Sequence, residues 1–96
     1  MKLITYIAGC TFGDRPSEVK KLKKGDILEL IPEPTNAYDP FAVKVANIGY
    51  LKKEIAKEIS PLILAGQKHY AIVVDLNAMG GVRVVISDIE SNIYGV

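Results

Sequence analysis

One cysteine and one histidine are all that this chain of 96 residues carries. Cys10 alone forms no internal disulfide, and Cys10 with His69 falls short of the three or four ligands of a zinc site. That usage fits a reducing compartment, so a cytoplasmic location is expected. No apolar run approaches the roughly 20 residues that a membrane-spanning helix needs. The first residues lack a basic stretch followed by a long apolar one, so no secretory signal is expected. Neither sign of charge dominates: 12 Lys and Arg stand against 11 Asp and Glu, a net of +1.

Catalytic groups are equally scarce. His69 lies in Gln67-Lys68-His69-Tyr70, a polar bend where a solvated imidazole is expected, and no nucleophile is paired with it. Cys10 follows Gly9 at a strand end and reads as a small buried thiol. Asn77–Gly81 lacks the Lys-Ser/Thr of a phosphate loop, and the acids are scattered singly. Enzymatic activity, cofactors and metals are therefore not expected.

What remains is ordinary globular composition, 49% hydrophobic and 24% charged. A chain of this length makes one domain, 1–96, with a core adequate without metal or disulfide. The charge is unevenly spread. Residues 1–70 hold eleven Lys and Arg against eight Asp and Glu, whereas residues 71–96 carry a net of −2. Such a modest basic region predicts contact with few phosphates.

The hydrophobic pattern is mostly that of strands. Leu3–Phe12 reads as a first strand, with Gly9 permitting a bulge or close approach. Gly13–Pro16 is a turn, Pro16 opens a short helix to Leu22, and Gly25 caps it. Ile27–Ile31 is a second strand with Leu28 and Leu30 on one face, ended by Pro32-Glu33-Pro34. Thr35–Pro40 is a loop of turn formers. Phe41–Ala46 and Ile48–Leu51 are two further strands. From Lys52 the period becomes helical, with Ile55, Ile59, Leu62 and Ile63 on one stripe. Pro61 is expected to split this helix, with Ser60 capping the second piece and Gly66 ending it. Tyr70–Leu76 and Val82–Ile86 flank Asn77–Gly81 as a hairpin, and Ile93 and Tyr94 fit a last edge strand. Five to six short strands and two helices predict a mainly β fold, a small, partly open antiparallel barrel of the OB-like or SH3-like kind.

The densest chemistry lies between Asn36 and Ala56. There, Tyr38, Asp39, Tyr50, Lys52 and Lys53 surround a short strand pair. Aromatic faces suit stacked bases and lysines neutralise phosphates. Each residue also has a plainer reading. Asn36 and Asp39 suit a turn, Tyr38 suits a lid over the barrel end, and Phe12 and Tyr50 suit a core. Lys20, Lys21, Lys23 and Lys24 read either as a solvated face at a helix end or as a basic rim. Lys52, Lys53 and Lys57 open a helix, where cations oppose the dipole unless an anion is held there.

Taken in order, these pieces resemble the HIRAN domain. The matching residues are Ile7-Ala8-Gly9, Phe12 and Arg15, Gly25-Asp26, and Pro32-Glu33-Pro34-Thr35-Asn36-Ala37-Tyr38-Asp39. They continue with Ala42-Val43-Lys44-Val45 and Gly49-Tyr50-Leu51-Lys52-Lys53-Glu54-Ile55-Ala56. The resemblance implies an OB-like barrel that captures the free 3′ end of single-stranded DNA, as in fork-remodelling helicase-like ATPases. It implies Tyr38 and Phe12 as a platform for terminal bases, Asp39 as acceptor for the 3′-hydroxyl and Lys53 as a phosphate contact. Arg15, Asn36, Tyr50 and Lys52 complete the implied DNA-binding set. Three positions depart from the family pattern: Ala37 where Pro is common, Phe41 where Asn is common, and Thr11 where DNA-binding members carry Arg.

The expected function is thus non-enzymatic binding of single-stranded DNA 3′ ends in DNA repair or replication-fork processing. A helicase or nuclease encoded separately would be the working partner, and no membrane is involved. The alternative is a protein-interaction or oligomerisation module that uses exposed edge strands of the terminal hairpin.

Overall fold

In the computed structural model, which describes residues 2–88, alternation between core and solvent sets each strand's orientation. In β2 (Ile27–Pro32) Leu28 and Leu30 are buried while Glu29 and Ile31 face out. β3 (Val43–Val45) buries both valines and β6 (Val82–Ser87) buries Val82, Val84 and Ile86. β1 (Lys2–Tyr6), β4 (Gly49–Tyr50) and β5 (Tyr70–Leu76) complete one antiparallel sheet of order β1-β6-β5-β2-β3-β4. α1 (Arg15–Val19) follows β1, and α2 (Lys53–Leu64) follows β4. This is the mainly β architecture expected, with six strands and two helices.

The sheet curls because its two ends meet. Beyond β1, the Ile7 N–H donates to the Val82 carbonyl at 2.9 Å. Ala8 and Tyr50 then exchange hydrogen bonds of 2.8 and 3.0 Å, an isolated antiparallel bridge that joins the β1 segment to β4. Only glycine fits opposite that bridge. A Cβ on Gly49 would run into the Ala8 carbonyl oxygen and lie 2.7 Å from Ile7 Cγ2. Inside the curl, Val43, Val45, Ile48, Val73, Val82, Val84 and Ile86 form the core, and α2 seals it with Ala56 and Ile59 against β2 and β3. α1 is tied on by Asn47, whose Nδ2 donates to Glu18 Oε1 at 2.6 Å.

Several local expectations are corrected. The first strand ends at Tyr6, because Gly9 (φ 76°) and Gly13 (φ 59°) turn the chain and place Phe12 in the turn. α1 runs only from Arg15 to Val19, and Gly25 is no helix cap: its N–H donates to the Val73 carbonyl at 2.7 Å beside β5. β3 starts at Val43, since Asp39 holds the Phe41 and Ala42 N–H groups in the preceding loop. Pro61 does not split α2. It sits in the last turn, where its missing N–H leaves only the carbonyl of exposed Lys57 to water. Ser60 is therefore no cap but a fully buried helix residue, its hydroxyl without a partner among the described residues. Gly66 does end α2: its N–H reaches the Ile63 carbonyl and that of Gln67 the Leu62 carbonyl. His69 is buried, its Nδ1 3.3 Å from the Gln67 carbonyl oxygen, and is not the solvated imidazole expected. Cys10 is buried as expected, with burial pushing its thiol pKa up.

The terminal hairpin forms as expected, with both its strands interior to the sheet. β6 lies between β1 and β5, and β5 between β6 and β2, so the edge expected of the hairpin is reduced to the end of β5 beyond Val73, past its pairing with β2. The edge strand expected at Ile93 and Tyr94 lies outside the described residues.

Gly49→Ala is expected to destabilise the fold by about 1–3 kcal/mol, the range for overpacking a close contact. Ala8→Gly, which keeps the backbone bridge, serves as the milder control. Equal chemical-denaturation midpoints for wild type and Gly49→Ala would show that the bridge does not constrain the barrel.

Candidate functional site

Asn36 organises the loop between β2 and β3. Its Oδ1 accepts the N–H groups of Tyr38 (2.8 Å) and Asp39 (3.0 Å), the short-range bonding that makes Asn a turn former. Asp39 repeats the device: its Oδ1 accepts the Phe41 N–H at 2.9 Å and its carbonyl the Ala42 N–H at 3.0 Å. Asp39 Oδ2 takes no hydrogen bond from any described residue. With the loop satisfied from within, Tyr38 is left 96% exposed. It covers no barrel end, so the lid reading of this ring does not hold.

Glu33 ties the loop to the barrel. One oxygen, Oε1, accepts both Asn36 Nδ2 (3.0 Å) and the Tyr50 hydroxyl (2.9 Å). These two donors hold the Glu33 carboxyl below its ordinary range, with Lys44 adding to the effect. The same bond keeps the Tyr50 phenol protonated to higher pH than usual. Glu33 was not among the expected site residues. The signal available was its place in Pro32-Glu33-Pro34, one turn before Asn36.

Tyr50, half-buried, carries the site across the barrel seam. The Arg15 guanidinium carbon lies 5.5 Å from the centre of the Tyr50 ring and 5.5 Å from that of Phe12. Arg15 Nη1 donates to the Gly9 carbonyl at 3.0 Å, and a Cβ on Gly9 would come within 2.7 Å of that nitrogen. Where a close backbone approach is expected at Gly9, the neighbour is instead the Arg15 side chain. Stacked between two rings, the guanidinium is held by cation–π attraction as well as by its hydrogen bond. Phe12 itself is 74% exposed and no core residue.

Six of the eight expected residues line one groove of about 390 Å³: Asn36, Tyr38, Asp39, Tyr50, Lys52 and Lys53, over a floor of Ala8, Ala42 and Leu51. Phe12 and Arg15 lie beside it, joined through the Arg15–Tyr50 contact. Lys52 precedes the first residue of α2, and no side chain caps that helix. Lys20, Lys21, Lys23 and Lys24 do not line this groove; Lys21 pairs with Glu18 at 2.8 Å. Among the described residues no cluster of His, Cys, Asp and Glu suits a metal ion.

Residues 2–88 match the family model of the HIRAN domain. The chain belongs to the HIRAN family. Its fold is also that of solved relatives. A protein from Lactobacillus plantarum superposes with TM-score 0.79 at 22% identity, covering 90% of this chain and 91% of that one. The crystal structure of the HIRAN domain of human HLTF gives TM-score 0.72 at 21% identity, covering 88% of this chain and 72% of that one. The NMR structure of the HLTF domain gives 0.59 at 19%, covering 88% and 75%. No curated protein matches the sequence. The HIRAN pattern thus maps onto one surface here: the Asn-x-Tyr-Asp loop and the Gly-Tyr-Leu strand meet across the groove.

Because the Glu33 carboxyl is held below its ordinary range, its anchoring bonds persist from neutral pH and fail only as pH falls through that lowered value. Glu33→Gln keeps a carbonyl acceptor but loses the charge. Solvent at the loop surface screens the difference, so about 1 kcal/mol of stability is expected to be lost at pH 7. The gap between the thermal midpoints of wild type and variant should close as pH falls through that lowered range. A gap independent of pH would mean that Glu33 charge does not anchor the loop.

Proposed function

We propose that this HIRAN domain is a non-enzymatic module that binds the 3′ end of single-stranded DNA. The observation that carries this reading is the state of Asp39. It is fixed through Oδ1, with Oδ2 free, in a groove bounded by an exposed tyrosine and two lysines. A carboxylate repels phosphate and accepts a hydroxyl proton. Beside cations that attract the backbone, it therefore selects a terminus ending in hydroxyl over one ending in phosphate or continuing as chain.

The other parts fit that ligand. Tyr38 and Phe12 offer ring faces to terminal bases, and such stacking is indifferent to base identity. Lys52 and Lys53 stand at the uncapped start of α2, where a bound phosphate would offset the unfavourable placing of cations at a helix's positive end. Asn36 and Tyr50 act by position: the first shapes the loop, and the second forms the groove wall that Glu33 and Arg15 hold. A binding role accords with the absence of any nucleophile–base pair among the described residues. A helicase or nuclease in the cytoplasm would supply the remodelling or cleavage that repair requires.

Lys52, Lys53 and Arg15 give about two or three phosphate contacts, hence a log–log salt slope of about −1.4 to −2.1 for a single strand. Tyr38→Ala should weaken binding by about 1–3 kcal/mol without loss of thermal stability, since the ring is solvent-exposed. A salt-independent affinity, or tight binding to blunt duplex, refutes the reading.

Asp39→Asn gives the sharper test. Wild type should prefer a 3′-hydroxyl over a 3′-phosphate oligonucleotide, and the variant should narrow or invert that preference by relieving the repulsion. Titration of both ligands against both proteins measures it. A wild type indifferent to the 3′ group, or a preference unchanged in the variant, would leave Asp39 as a turn residue only.

A further inference from the structure

A second groove, of about 410 Å³, opens between α1 and the tip of the β5–β6 hairpin. Pro16, Val19 and Leu22 form one wall and Leu76 and Met79 the other, with Lys20 also in its lining. The tip is rigidly set. Asn77 Oδ1 accepts the N–H groups of Met79 (3.0 Å) and Gly81 (2.9 Å), so Met79 is held 86% exposed.

Two features join this groove to the first. Thr11 and Pro16, which line it, are the chain neighbours of Phe12 and Arg15, and Arg15 touches the Tyr50 wall of the first groove. Phe12, 74% exposed, follows Thr11 in the chain and lies against the Arg15 guanidinium. The centres of the Phe12 and Tyr50 rings are no farther apart than twice the 5.5 Å that separates each from the guanidinium carbon. The charge also matches a strand: Lys20, Lys23 and Lys24 make no ion pair with any described residue.

We propose that the second groove takes the nucleotides on the 5′ side of the captured end, so that one strand runs from the Asp39 groove across Phe12 to Met79. This rests on the 3′-end reading and extends it from a terminal nucleotide to a longer site. An OB fold commonly covers about 4–16 nucleotides, more than a single groove of this size accommodates. Bases meet apolar Leu22 and Met79, whose polarisable sulfur suits an aromatic face, while Lys20 meets the backbone. The oxygen of Asn77 is engaged by the turn, so any polar contact from it to a base would come from its Nδ2 donors.

Calorimetric titration with unlabelled 3′-hydroxyl oligothymidylates of two and six nucleotides tests this. The six-mer should bind wild type about fivefold to tenfold more tightly, the low end for one further stacked base. The double variant Met79→Ser, Lys20→Gln, at two exposed positions, should bind the six-mer no better than the two-mer and leave the two-mer unchanged. Equal wild-type affinities for the two lengths overturn the second groove alone, as does a length advantage that survives in the double variant. A six-mer bearing a 3′-phosphate separates the two readings. If it binds as tightly as the hydroxyl form and Met79 still matters, the groove stands and the role of Asp39 falls. Sedimentation of wild type and double variant covers the remaining occupant: a dimer lost in the variant assigns the groove to a second copy of this chain and overturns the proposal.

Discussion

Two hydrogen bonds between Ala8 and Tyr50 determine where everything functional sits. Without them β1 and β4 are the two ends of an open sheet, and the residues on them are remote from each other. With them, the turn that follows β1 is brought beside β4, so Arg15, which lies over the Phe12 ring at one end of the sheet, also lies over Tyr50 at the other. The bridge exists because position 49 has no side chain to strike the Ala8 carbonyl. The Gly-Tyr pair is therefore one device: glycine admits the neighbouring chain, and tyrosine uses its arrival.

From that seam, polar satisfaction proceeds outward in order. Tyr50 donates to Glu33, Glu33 also takes the Asn36 amide, and Asn36 holds the N–H groups of Tyr38 and Asp39. Each bond uses up a group that would otherwise compete for ligand. What remains unsatisfied at the end of the chain is one carboxylate oxygen, one bare ring and two lysines. A loop that hydrogen-bonds to itself in this way needs little reorganisation to bind, which lowers the entropic cost of association.

Much of this was legible in the sequence, and the rest was hidden for definite reasons. Alternation revealed β2 and β6, and the 3.6-residue period revealed α2, because each buries only one face. The groove residues were legible as a set through their family spacing, whereas any one of them alone suited a turn or a core. Arg15 between two rings was not legible, since the contact depends on a bridge between positions 42 residues apart. His69 misled because its polar neighbours Gln67 and Lys68 are exposed while the ring itself turns inward. Pro61 misled because the one carbonyl that its missing N–H leaves without a helix partner is that of Lys57, an exposed residue. The hairpin's interior place in the sheet was invisible, because pairing with β1 and β2 is a long-range choice.

The departures from the family pattern gain meaning from the same geometry. The Ala37 N–H donates to no described residue, so a proline there would remove no bond, and the loop takes its shape from Asn36 instead. Phe41 keeps only its backbone in the turn, bonded to Asp39, and its half-exposed ring adds apolar surface beside the loop. Thr11 replaces a cation with a short side chain that lies near Gly80 at the hairpin tip, 3.9 Å from where a Cβ there would stand. A long guanidinium at position 11 would compete for that space. In the proposed reading, cationic contact on this side of the site would pass to Arg15, which lies over two rings, and to Lys20 beyond it. The same count of charges that makes the net value only +1 would leave few cations to grip a continuing backbone. Under so weak a general attraction, the single carboxylate of Asp39 would weigh heavily in deciding which terminus the proposed site admits.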